Sequence, residues 1–127
     1  MKKIEIFSRH CEFSKFSENR ERVNGFSKEA CYKNMKNTLD RSTSNLTFLM
    51  DGELNMHFLN NEKEFKVENI EGGSQAKSWD SALDYVKERN FNDEQIIYFV
   101  EDDYLHLNNW SDILLDGFEL NIEHLSL

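Results

Sequence analysis

The sequence predicts an α/β fold: a mostly parallel sheet of about four strands with helices on both faces, Rossmann-like in its alternation. Three observations predict it. Strand-length apolar runs alternate with amphipathic helical stretches along the whole chain, in the pattern β-α-β-α-β-α-β-α. The run Ile96-Ile97-Tyr98-Phe99-Val100 is apolar throughout, as strands buried on both faces of a parallel sheet are. Polar residues follow several of the strands, where an open α/β sheet binds its ligands. At 127 residues the chain is read as one domain, 1–127, without linker, repeat or low-complexity run.

The first strand covers about 3–8, from the alternation Ile4-Glu5-Ile6-Phe7. Residues 9–26 are polar and aperiodic and read as a long loop, which places Arg9 and His10 just past the strand. Ser27 is an N-cap for a helix of about 28–40 whose buried face is Cys31, Met35 and Leu39. Leu46-Thr47-Phe48-Leu49-Met50 is the second strand and runs into Asp51-Gly52. A short helix at 53–60 fits Leu54, Phe58 and Leu59. Residues 65–70 alternate as a third, weaker strand. Gly72-Gly73-Ser74 opens a helix of about 75–89 whose apolar face is Ala76, Trp79, Leu83 and Val86, with Ala82 beside it and Asn90 as C-cap. The strand at 96–101 is the most apolar and is expected at the sheet centre. A last helix of about 108–119 carries Trp110, Ile113, Leu114 and Phe118, and residues 120–127 suggest the beginning of a further strand.

Composition narrows the function classes. The net charge is −9, and it is unevenly spread: residues 1–50 carry ten Lys and Arg against six acids, the remainder five against eighteen. Nucleic-acid binding needs a basic footprint, so no nucleic-acid partner is expected. Cys11 and Cys31 have neither CxxC spacing nor a His at ligand spacing, and read as free thiols. The charged start Met1-Lys2-Lys3 leaves no room for a signal-peptide core, and no apolar run reaches membrane-spanning length. A cytoplasmic protein without a membrane span is expected.

Chemistry concentrates where strands end. Glu101-Asp102-Asp103 follow an apolar strand directly, and adjacent carboxylates repel unless a cation sits among them. A hard divalent metal carrying a phosphate is one such cation. Asp51-Gly52 is either a turn or a ligand contact. Gly72-Gly73-Ser74 is either a loop or a set of backbone N–H groups for an anion, with Lys77 one turn further on. His57, His106 and His124 fit no ligand spacing, and Trp79 and Trp110 read as core.

Four segments occur in the order seen in GT-A-fold glycosyltransferases. They are Lys3 to Cys11, Leu49-Met50-Asp51-Gly52, Gly72 to Ser78, and Tyr98 to His106. The chain resembles the N-terminal, nucleotide-binding half of a family-2-like nucleotide-diphospho-sugar transferase. The resemblance implies a DxD-type motif in Glu101-Asp102-Asp103, with Glu101 and Asp103 on Mn²⁺ or Mg²⁺ and Asp102 beside the nucleotide sugar. It further implies that Arg9 lines the base and ribose, that Asp51 contacts the nucleoside, and that Gly73, Ser74 and Lys77 pack against the donor. The metal would act as a Lewis acid on the departing nucleoside diphosphate.

In that family the acceptor pocket and the general base follow the acidic motif. Here the chain reaches Leu127 about one helix later, so the expectation is a truncated GT-A domain lacking the acceptor part. No base is assigned, and Asp112 and Asp116 read as surface charge. The expected ligand is a UDP-, GDP- or CMP-linked sugar, its acceptor hydroxyl unspecified, with self-association expected from the exposed sheet edge and apolar last helix. The alternative is a small noncatalytic α/β binding or interaction domain.

Overall fold

A single all-parallel sheet with helices on both faces organises the computed structural model, which describes residues 2–11 and 27–120. In chain order the elements are β1 (Ile4–Cys11), α1 (Lys28–Thr38), β2 (Ser44–Asp51), a 3-10 turn (Phe58–Asn61), β3 (Lys66–Ile70), α2 (Gln75–Arg89), β4 (Ile96–Glu101) and α3 (Trp110–Phe118). In space the four described strands lie in the order β3-β2-β1-β4, all parallel. The α/β class and the parallel sheet predicted from the sequence are those observed.

Four expectations are corrected. β1 does not stop at residue 8 but continues to Cys11, so Arg9 and His10 are strand residues. It is held to that length from both sides, by pairing with β2 as far as Cys11 with Asp51 and with β4 as far as Arg9 with Glu101. The rest of the expected loop, 12–26, lies outside the described residues, as do 121–127, on which the further strand was expected.

Among the described strands β4 lies at an edge, not at the centre. The central β1 is half polar in composition yet buried from Ile4 through His10, because its polar side chains find partners. Glu5 accepts from Asn45 and Gln95, Ser8 bonds His10, and Arg9 reaches Ser78 and Glu101. Apolar content therefore did not mark the centre; pairing did. The apolar residues of β4 feed both cores, Ile96, Tyr98 and Val100 on one side of the sheet and Ile97 and Phe99 on the other.

α2 spans the predicted residues but presents a different face. Ser78 and Ala82 are buried, Trp79, Tyr85 and Val86 are half-buried, and Ala76 and Leu83 are exposed. The small residues bring the helix close to the sheet, where aromatic rings supply the volume: Phe7 packs on Tyr85, Phe91 and Phe99 at centroid distances of 6.2, 5.7 and 5.9 Å. The short helix expected at 53–60 is a 3-10 turn set later, at Phe58–Asn61. His57 caps it by accepting from the Leu59 N–H through Nδ1.

The caps predicted at Ser27 and Asn90 hold, and Ser74 proves to be a third. Ser27 accepts from Ala30 N–H, Ser74 from Lys77 N–H, and Asn90 takes the left-handed conformation at φ 56° that ends α2. The sheet separates two cores. α1 and α3 cover one face with Met35, Leu39, Trp110 and Leu114 over Ile4, Ile6, Phe48 and Val100. α2 covers the other with Ala82 over Phe7 and Leu49. No helix among the described residues is long and apolar enough to cross a membrane.

Candidate functional site

The strand order fixes where a ligand would approach. From β1 the chain passes through α1 to β2 on one side. From β3 it passes through α2 to β4 on the other side of β1. The carboxyl ends of β1 and β4 thus flank the point where the sheet's winding reverses, the usual crevice of open α/β sheets. The acidic tip stands at that point, and side-chain alternation sends its residues to opposite faces.

On the α2 face, Arg9 and Glu101 are register partners and their side chains pair, Nη2 to Oε1 at 2.8 Å. Arg9 also donates from Nη1 to Ser78 Oγ at 2.8 Å, and its guanidinium lies 4.8 Å from the Trp79 ring centroid. Arg9 is only 7% exposed, and its Nε has no partner among the described residues. The residue expected to line a base is thus built into the sheet, joining β1, β4 and α2.

On the α1 side, Asp102 is buried. Its Oδ2 accepts from the Cys11 N–H at 3.1 Å and faces Lys28 Nζ at 3.1 Å. Burial raises the Asp102 carboxyl above its ordinary value, with Lys28 and the Cys11 N–H pulling the other way. Burial and Asp102 likewise raise the Cys11 thiol. The cations that the crowded acids require are therefore, for Glu101 and Asp102, the chain's own Arg9 and Lys28. Asp103, half-buried, follows in the turn after β4.

The other predicted residues gather at the tip of β2. Asp51 ends that strand, and its carboxylate lies against the backbone of Gly72: a Cβ there would stand 2.0 Å from Asp51 Oδ2. Gly73 holds φ 107°, which favours glycine, and Ser74 caps α2. Asp51 and Gly72-Gly73-Ser74 are thus brought together as the sequence suggested, while Lys77 is exposed on α2.

Among the described residues no group of three or more His, Cys, Asp or Glu converges to hold a metal ion by itself. Glu101 and Asp103 offer hard oxygen donors of the kind Mg²⁺ or Mn²⁺ takes, and such ions usually complete their shell with water and substrate phosphates.

A cleft between β1, β4 and α1 opens beside Asp102, lined in part by Ser8, His10, Tyr32, Tyr104 and His106. Its accessible volume of about 10 Å³ leaves room for no more than one water. His10 bonds Ser8 at 3.0 Å through Nε2 and is packed edge-on by Phe48, Phe58 and His57. Burial, and then the His57 and Lys28 charges, lower its pKa to about 3, so it is neutral at physiological pH. The pair is a structural part of the sheet, without space for a substrate.

Sequence reasoning missed Lys28, Ser78 and the role of the Cys11 backbone. One signal for Lys28 was present. A lysine in the first turn of a helix opposes the macrodipole, which implies an anion outside the helix to hold it. Ser78 breaks an otherwise apolar helix face, and a buried hydroxyl implies a polar partner across from it.

Comparison with protein-family models, with curated proteins and with solved structures finds no match.

Proposed function

We propose that the chain is a glycosyltransferase-like domain that binds a nucleotide sugar along the carboxyl edge of its sheet, with a divalent Mn²⁺ or Mg²⁺ shared between the acidic tip and the diphosphate. The observation that carries the reading is the coincidence of the acidic tip with the winding reversal between β1 and β4. Asp103 and Glu101 face the metal in this reading. Asp51, with Gly72 and Gly73 beneath it, meets the nucleoside, and Ser74 and Lys77 lie toward the donor. Arg9 and Asp102 shape the edge from within. The bound ion would offset the charge of the diphosphate. A cytoplasmic location belongs to the same reading, as does completion of the acceptor side by a partner or a second copy.

A second reading has its own support. Arg9 and Lys28 already neutralise two of the three tip acids, so the tip can be architecture in a noncatalytic binding or interaction domain. Tyr104, Leu105 and Leu107, exposed just beyond β4, give such a domain a contact surface.

Thermal stability followed during titration with UDP, GDP and CMP, with and without Mn²⁺, separates the two. The first reading predicts a rise with one of them that needs Mn²⁺ and is lost in Asp103→Ala. No rise with any nucleotide leaves only the second.

A further inference from the structure

We infer that Asp102 is a positioning residue: together with Lys28 and the Cys11 backbone it clasps the ends of β1, α1 and β4, and so holds the acidic tip in place without touching the ligand. The inference deepens the proposed site and, in its ligand arm, rests on it. Four contacts close the clasp. The Cys11 N–H and Lys28 Nζ both reach Asp102 Oδ2 at 3.1 Å. Lys28 Nζ also donates to the Cys11 carbonyl at 3.1 Å and lies 3.7 Å from Cys11 Sγ.

The location gives the clasp its purpose. Backbone pairing between β1 and β4 ends at Arg9 with Glu101. The Asp102 side chain carries the joining of the two strands further, to the Cys11 amide, and brings in the first residue of α1. Asp103 is the next residue along, so its placement depends on the turn that Asp102 anchors. At 7% exposure the Asp102 carboxylate is turned into the protein. A buried pair of this kind adds little net stability, because desolvation consumes most of the Coulomb gain. What it fixes is geometry. The rule that outer partners orient the ligands of a metal site, and cost affinity when removed, gives the expected size of the effect.

The test is a double-mutant cycle of Asp102→Asn, Lys28→Met and both together. One arm measures amide hydrogen exchange at Cys11 in the ligand-free protein. The clasp predicts faster exchange in all three variants, since removing either partner opens the same unit. Unchanged Cys11 protection in Lys28→Met overturns it. The other arm measures the dissociation constant of whichever of UDP, GDP or CMP binds with Mn²⁺. Each single variant is expected to bind about 10- to 100-fold more weakly, with the double variant no weaker than either. Losses that add in the double variant overturn the inference, because they mean two separate ligand contacts; so does affinity equal to wild type in every variant.

If the wild-type chain binds no nucleotide, the proposed function falls while the exchange arm still decides the clasp. Lys28→Met leaves a buried carboxylate unpaired and can prevent folding. In that case Asp102→Asn, which leaves only the partly exposed Lys28 ammonium unpaired, and the double variant, which leaves no charge there, carry the comparison. Equal values in those two support the clasp, and a weaker or less protected double variant overturns it.

Discussion

Replacing His10 by Gln is expected to flatten the chain's loss of stability in mild acid. His10 is 1% exposed, and its pKa is lowered to about 3 from the ordinary value of 6.5. Between those values the unfolded chain binds a proton that the folded chain refuses. Stability is therefore complete above pH 6.5 and falls as the pH drops toward 3. Moving from pH 7 to pH 5 costs about 2 kcal/mol from this one group, by the linkage relation. For a domain of this size that lowers Tm by roughly 6–10 °C.

Gln retains a polar group that can bond Ser8 but does not titrate. Its Tm at pH 7 is expected to fall, because the ring contacts with Phe48 and Phe58 are lost. The drop in Tm between pH 7 and pH 5, measured by calorimetry, is expected to shrink by most of that 6–10 °C range. His106 is also lowered by burial, and it leaves a residual slope in both proteins. Parallel Tm-against-pH curves for wild type and variant would refute the reasoning, since His10 would then not be the buried neutral imidazole the structure gives.

Two further substitutions test other parts of the account. Gly72→Ala pushes a methyl group into the Asp51 carboxylate and should destabilise by about 1–3 kcal/mol in denaturant unfolding. Most of that loss should vanish in an Asp51→Ala background, and an undiminished loss there would show that the clash lies elsewhere. Glu62 is held by Lys36, by the Tyr32 hydroxyl and by the Glu64 and Phe65 N–H groups. Burial raises its carboxyl, but those hydrogen bonds outweigh it and bring the pKa down to about 2. Its stabilisation is present above pH 4.5 and lost as the pH falls toward 2, about 3 kcal/mol in all. Glu62→Gln should therefore lose stability at pH 7 and flatten the acid limb below pH 4.5; an acid limb as steep as wild type would contradict this.

The sheet was legible because period and apolarity report burial: 96–101 and 75–89 were bounded to the residue, and Ser27 and Asn90 marked caps by their chemistry. Strand order was not legible, because neighbours in a sheet are chosen by pairing across the chain. β4 reads as the better core strand than β1, yet β1 is central: Glu5 and Arg9 are buried with partners from remote segments, and His10 is packed by the rings of Phe48 and Phe58. The same non-local pairing limited the site. The meeting of Asp51 with Gly72 followed from strand tips sharing an edge. The internal cations did not, since nothing near Asp102 in sequence points to Lys28. An acidic run after an apolar strand marks a place in the fold; whether its charge faces outward depends on cations brought by other elements.

The central claim is that this edge takes a metal-bound nucleotide at the winding reversal. Paramagnetic Mn²⁺, added with UDP, GDP or CMP while backbone amide signals are followed, tests it most directly. The account predicts that one nucleotide with Mn²⁺ selectively broadens residues 101–104, 51–52 and 72–74, and that Asp103→Ala abolishes the effect. Broadening confined to other surfaces, or none with any of the three nucleotides, would contradict it.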